Sequence, residues 1–168
     1  MKIKTAYLGL LLAFALILSY VEMLITFSFG VPGIKLGLAN LAVVLTLYLF
    51  GFKEALLLTL LKALLCGFLF GNMTVILYSL SGAIFSFLAM AAMVKIDCFH
   101  LPVVSAMGGV MHNVGQLLVA FLVVETYGIL YYVPALILSG LITGILIGIT
   151  SSLVMPYIKK VIERGNNL

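Results

Sequence analysis

The side chains best suited to binding or chemistry lie in residues 108–116, where three strongly hydrogen-bonding groups interrupt an otherwise apolar run. His112 and Gln116 are four residues apart and therefore share one face of a helix, which Asn113 borders. Gly108 and Gly109 precede them by about one turn, and small residues there let another helix or a ligand approach the backbone. The three side chains fit either the wall of a binding pocket or hydrogen bonds to neighbouring helices.

A second set of polar residues lies between residues 22 and 40 and points to the same kind of site. Glu22 falls near the end of the first apolar run, where it is either an interfacial carboxylate or part of an outward-facing site. Lys35 and Asn40 follow, and Asn40 has an alternative role as a helix cap. Gly33 and Gly37 are expected to shape the loop between them.

Lys62 is the other ionisable residue within an apolar run, about two turns from the start of its segment. Its long side chain allows snorkelling, in which the ammonium reaches the membrane interface, and a functional role is the alternative. The rise of a helix places Glu22 and Lys62 at depths that differ by roughly 10 Å, which argues against a salt bridge between them.

The sequence predicts no enzyme, catalytic residue, metal or cofactor. A phosphate-binding loop is missing, as is a nucleophile with a base and an orienting group. His100, the other histidine, lies in a connection, and Cys66 and Cys98 are expected to be free thiols. An intramembrane enzyme that uses His112 as a general base stays open as an alternative, although it would need an activating partner.

The elements that position these residues are membrane helices. Hydrophobic residues make up 65% of the chain and charged residues 8%, with a mean hydropathy of +1.35, whereas soluble proteins carry about 25% charged residues. The apolar runs are continuous and broken by glycine, which favours helices over the alternating strands of a barrel. Basic residues occur singly or in pairs, so nucleic acid is not an expected partner.

We therefore predict an all-α, polytopic bundle of about six transmembrane helices that forms a single membrane domain over residues 1–168. A helix needs about 20 residues to cross the bilayer. The second predicted helix is short and follows the Gly-Val-Pro-Gly break at residues 30–33. The predicted helices span approximately residues 6–27, 36–50, 55–70, 73–94, 103–124 and 130–155.

The positions of the basic residues predict the orientation, because short cytoplasmic loops are enriched in lysine and arginine. With both termini in the cytoplasm, Lys35 is the one basic residue in an outer loop. We therefore expect a multi-pass protein of the bacterial cytoplasmic membrane. Tyr127, Tyr131 and Tyr132 then form an aromatic belt at the outer interface. The basic residues predicted on the cytoplasmic side are Lys2, Lys4, Lys53, Lys95, Lys159, Lys160 and Arg164.

Two segments, Pro-Gly-Ile-Lys-Leu-Gly-Leu-Ala-Asn-Leu at residues 32–41 and Gly-Val-Met-His-Asn-Val-Gly-Gln at residues 109–116, resemble the Gx transporter family. This family also carries the description heptaprenyl diphosphate synthase component I. The resemblance implies a fold similar to the substrate-binding S-components of energy-coupling factor (ECF) transporters. The sequence departs from the family pattern at Lys62, where arginine is expected, so a bidentate contact at that position would be lost.

What the resemblance implies is capture of a small organic molecule for transport, such as a vitamin, a cofactor precursor or an isoprenoid-like lipid. The pocket would include Glu22, Gly33, Lys35, Gly37, Asn40, His112, Asn113 and Gln116. The implied partners are a membrane coupling subunit and its ATPases, which would dock on the first helix near Gly9 and Ala13. The alternative is an accessory subunit that binds a prenyl synthase subunit or a flavoprotein, in polyprenyl or quinone synthesis or in flavin-dependent extracellular electron transfer.

Overall fold

The computed structural model of the chain describes residues 2–24, 37–124 and 127–166. Over these residues the chain forms six α-helices and a short 3₁₀ helix, which confirms the predicted all-α class. The 3₁₀ helix spans Tyr127–Tyr132 and leads directly into the last α-helix. The helices are α1 (Lys2–Leu24), α2 (Asn40–Phe50), α3 (Phe52–Phe70), α4 (Met73–Ile96), α5 (Leu101–Val124) and α6 (Val133–Asn166).

Four of the described helices, α1, α4, α5 and α6, are long and apolar enough to cross a membrane. The chain is therefore a multi-pass membrane protein. Helix α2 is apolar but has only 11 residues. Helix α3 has 19 residues and carries three charged side chains, Lys53, Glu54 and Lys62.

The start of α2 differs from the prediction, because the helix begins at Asn40 and not at residue 36. Gly37 has a φ of +69°, in the left-handed region that glycine adopts without a steric penalty. The carbonyl of Gly37 accepts a hydrogen bond from the Asn40 N–H at 2.8 Å, which closes a turn before the helix. The turn from Gly37 to Asn40 therefore occupies the residues in which the helix was predicted to begin.

The predicted end of the last helix near residue 155 is wrong, since α6 continues through Pro156 to Asn166. A proline inside a helix removes one backbone hydrogen bond and normally bends or ends the helix. Beyond Pro156 the helix comes close to the start of α1, where the Tyr7 hydroxyl donates to the Val161 carbonyl at 3.4 Å.

Helices α5 and α6 run antiparallel and approach each other through glycines. A Cβ atom on Gly109 would lie 2.2 Å from the Gly140 carbonyl oxygen, and one on Gly144 would lie 2.6 Å from the Ser105 carbonyl oxygen. On its other side α5 meets α4, where a Cβ on Gly108 would collide with Met90. The expected role of glycine in close helix approach is confirmed on both sides of α5.

Both ends of the chain lie at the same end of the bundle. Lys4 at the start of α1 forms an ion pair of 2.5 Å with Glu54 at the start of α3, and Tyr7 contacts Val161 near the end of α6. We call the half of the bundle at this end the terminal half. Its apolar core includes Leu11, Leu47, Leu58, Phe87, Met90 and Val104.

Candidate functional site

A cavity of about 200 Å³ occupies the half of the bundle opposite the terminal half, which we call the cavity half. Each of the six α-helices contributes to its wall. Phe70 and Val75, which flank the turn between α3 and α4, mark its position along the bundle. The charged, amide and imidazole side chains on its wall are Glu22, Asn40, Lys62, His112, Asn113 and Gln116.

Glu22 connects α1 to the turn that precedes α2. Its Oε1 atom accepts a hydrogen bond of 2.5 Å from the backbone N–H of Gly37. Bonds from a backbone N–H to a carboxylate are among the stronger hydrogen bonds in proteins. Glu22 therefore helps to fix the position of the turn, and both residues line the cavity.

Lys62 and Asn40 form a second link across the cavity half. The Lys62 ammonium donates a hydrogen bond of 2.7 Å to the Oδ1 atom of Asn40, which joins α3 to the first residue of α2. The capping alternative for Asn40 is wrong, since residue 39 is the N-cap and no side chain caps this helix. Snorkelling of Lys62 is also wrong, because the residue is only 8% exposed.

Glu22 and Lys62 line the same cavity, Glu22 from α1 and Lys62 from α3. Glu22 accepts a hydrogen bond from Gly37 and Lys62 donates one to Asn40, so neither bond joins the two side chains, in agreement with their estimated depths. Tyr20 and Phe70, with ring centroids 5.4 Å apart, lie in contact between the same two helices.

His112 and Gln116 present one face of α5 to the cavity, as their spacing predicts. Gly82 of α4 lies directly behind them. A Cβ atom on Gly82 would stand 2.8 Å from Cγ of Gln116 and 3.0 Å from Cε1 of His112. The missing side chain of Gly82 therefore makes room for both residues.

Asn113 lines the cavity but is also tied to the neighbouring helix. Its amide nitrogen donates to the Leu136 carbonyl at 2.7 Å and to the Ser139 hydroxyl at 3.3 Å, both on α6. The side chain is 8% exposed. Of the two roles that the sequence left open for the polar residues of α5, helix pairing therefore applies to Asn113.

Sequence reasoning missed several smaller polar residues of the wall. Ser19, Cys66, Ser79 and Thr143 line the cavity from four different helices. Single small polar residues are common in membrane helices, so the sequence carried no signal for them. Cys66 is a free thiol on the cavity wall, whereas the free thiol of Cys98 is exposed in the connection between α4 and α5.

Two predicted site residues, Gly33 and Lys35, lie outside the described residues. Of the predicted tyrosine belt, Tyr131 and Tyr132 are exposed on the 3₁₀ helix at the end of the bundle away from the chain termini.

Among the residues that the structure describes, no three histidine, cysteine or acidic side chains come close enough to hold a metal ion. The cavity wall can thus donate and accept hydrogen bonds and supplies a buried ammonium.

Comparison with known proteins gives one match. Residues 11–154 match the family model described as heptaprenyl diphosphate synthase component I. No curated protein and no solved structure matches the chain. The matched range includes every described residue named on the cavity wall.

Proposed function

The chain belongs to the heptaprenyl diphosphate synthase component I family, also called the Gx transporter family, and we propose that it captures a small organic molecule in the membrane, as S-components do. The observation that carries this proposal is the cavity of about 200 Å³ lined by Glu22, Lys62, His112 and Gln116. Ionisable and strongly polar residues inside a membrane bundle usually serve a ligand or a transport path. In this proposal the chain binds its ligand and catalyses no step.

The direction of capture follows from the distribution of charge. Lys4, Lys53 and Lys95 lie at the ends of α1, α3 and α4 that belong to the terminal half, and Lys159 lies near the end of α6. A concentration of basic residues marks the cytoplasmic side. With this orientation the cavity half faces the cell exterior.

Transport would require a separate source of energy, for which an ECF coupling subunit with its ATPases is the expected partner. Helix α1 offers a surface for such a subunit. Gly9 has open space where a side chain would be, and Leu10 and Ile17 are largely exposed on the same helix. This face supports docking of a partner helix, for which small residues permit close approach.

The description of the family favours a second candidate, an accessory subunit in polyprenyl synthesis. It names a component of a synthase, so a prenyl synthase subunit would be the partner of this chain. The polar residues of the cavity half would then contact that subunit. A flavoprotein of an electron-transfer system is the other partner that would fit this accessory role.

The experiment that separates these functions is purification in mild detergent followed by mass spectrometry of the small molecules that remain bound. We expect the wild-type protein to retain one dominant small molecule. His112→Ala and Gln116→Ala should each reduce its amount about tenfold or more, because each removes a hydrogen-bonding group from the cavity wall.

The matched control is His100→Ala, which removes the other histidine, an exposed residue outside the cavity. It should retain as much of the molecule as the wild type. A wild-type protein that carries no small molecule but copurifies with a prenyl synthase subunit would favour the accessory role instead.

A further inference from the structure

We propose that the captured molecule carries an anionic oxygen group, a carboxylate or a phosphate, and that Lys62 binds this group. The proposal rests on the proposed function, since it names the chemical class of the ligand for the same cavity. The sequence pointed to Lys35 as the basic residue of the site, whereas the described cavity wall contains Lys62.

The placement of Lys62 is the first argument. A lysine within a membrane helix costs about 2.5–3.5 kcal/mol on insertion scales, and its side chain normally relieves this cost by reaching the interface. Lys62 is 8% exposed and directs its ammonium to the cavity instead. A cavity that holds a buried cation suits a ligand with the opposite charge.

The second argument is that the ammonium is held in position before a ligand arrives. Asn40 accepts one of its hydrogen bonds at 2.7 Å, and Asn40 is itself fixed by the turn at Gly37. Because asparagine is neutral, this bond orients the ammonium without neutralising it. A ligand therefore does not have to order the long lysine side chain, which lowers the entropic cost of binding.

The neighbouring groups complete the chemical description of the ligand. The side-chain amide of Gln116 and the hydroxyl of Ser79 line the same cavity and can donate hydrogen bonds to a ligand there. Glu22, the carboxylate on the described wall, accepts the Gly37 N–H through Oε1 and so helps to hold the turn. Phe70 and Val75 add apolar surface, which favours an organic anion over an inorganic one.

The test compares the molecules that variants retain through purification, measured by negative-ion mass spectrometry. Wild-type protein should carry an acidic molecule. Lys62→Gln should reduce its amount at least tenfold, whereas Lys95→Gln, which removes a positive charge from an exposed site at the end of α4, should leave it unchanged. Fragmentation separates the two sources of charge, because phosphate esters release a phosphate fragment and carboxylates release carbon dioxide.

A second variant separates ligand binding from folding. Asn40→Asp keeps an acceptor for the Lys62 ammonium and strengthens the bond between them, so the variant should unfold at or above the wild-type temperature. The new carboxylate competes with an anionic ligand for the Lys62 ammonium, so the amount of molecule that the protein retains should fall at least tenfold. If Asn40→Asp retains the molecule in full, Lys62 has only a structural role and the proposal is wrong.

The remaining outcomes distinguish this proposal from the function on which it rests. A retained molecule that is neutral or basic would overturn the anionic class and leave capture standing. If Lys62→Gln folds and keeps the wild-type amount of an acidic molecule, the assignment of the anionic group to Lys62 is wrong, while capture still stands. A wild-type protein that retains no small molecule would overturn capture itself, and the ligand class with it.

Discussion

The terminal half and the cavity half are built from the same helices but differ in what they bury. In the terminal half the large buried side chains are apolar, and Leu47 of α2, Leu58 of α3 and Val104 of α5 pack into one core. The same half also buries small hydroxyl side chains such as that of Thr46. In the cavity half these three helices instead contribute Asn40, Lys62 and His112 to a polar wall. The ionisable and amide residues of the wall are thus gathered at one level of the bundle.

The comparison shows that one membrane helix can contribute to the core along part of its length and to the cavity wall along the rest. In α3, Leu58 is buried in the core, and Lys62 follows one turn later on the same face. The core fixes the direction in which that face points. The polar residue next to it is thereby directed to the cavity and not to lipid.

The largest effect is expected at the glycine contact between α5 and α6, which runs beside both halves. Gly144→Leu would drive a side chain into the backbone of Ser105 and Ala106. Because backbone atoms cannot move aside without separating the helices, we expect a loss of at least about 3 kcal/mol in the free energy of unfolding. Unfolding by dodecyl sulfate in mixed micelles, followed by circular dichroism, measures it.

Gly9→Leu is the control for this variant, since a side chain at Gly9 would meet nothing within 4 Å. It should unfold as the wild type does. Equal stability of Gly144→Leu and the wild type would show that α5 and α6 are not packed through their glycines.

A smaller effect is expected from the core of the terminal half. Leu47 is 3% exposed, so Leu47→Ala leaves a cavity and should lower the free energy of unfolding by about 2–4 kcal/mol. Leu57→Ala removes the same atoms from a side chain that is 56% exposed and should have little effect. If the two variants were equally stable, the terminal half would not contain a packed core. The same dodecyl sulfate titration serves both.

The smallest effect is expected from Asn113, the polar residue that pairs helices in the cavity half. Asn113→Ala removes its bonds to Leu136 and Ser139 and should cost about 0.6–1.7 kcal/mol, the range found for such bonds in membranes. A double-mutant cycle with Ser139→Ala isolates the contact between the two side chains. A variant of unchanged stability that nonetheless loses the bound molecule would make Asn113 a ligand contact instead.

Much of the fold could be predicted because it depends on local composition. The low charge content and long apolar runs predict membrane helices, and glycines such as Gly51 and Gly71 mark the turns between them. The end of α6 could not be predicted, since Pro156 signals a helix end. The helix nevertheless continues through this proline to Asn166.

The cavity, like the fold, has features that the local sequence predicts and features that it does not. The four-residue spacing of His112 and Gln116 predicted a shared face, and both line the cavity. Lys62 is visible in the sequence as an ionisable residue, but its distance from the helix end allows snorkelling as well as a functional role, so the sequence does not place it on the cavity wall. Whether a lysine faces lipid or a cavity depends on which helices surround its own helix, and this is not encoded in the spacing.

The sequence by itself therefore determined that this chain is a helical membrane protein, which family it belongs to, and which helix carries a polar face. These properties depend on composition and on short segments that are adjacent in the chain. Only the tertiary structure decided that Glu22, Asn40 and Lys62 line one cavity with the polar face of α5. Residues from different helices meet through the packing of glycines and core side chains, and that packing sets the rotation and level of each helix.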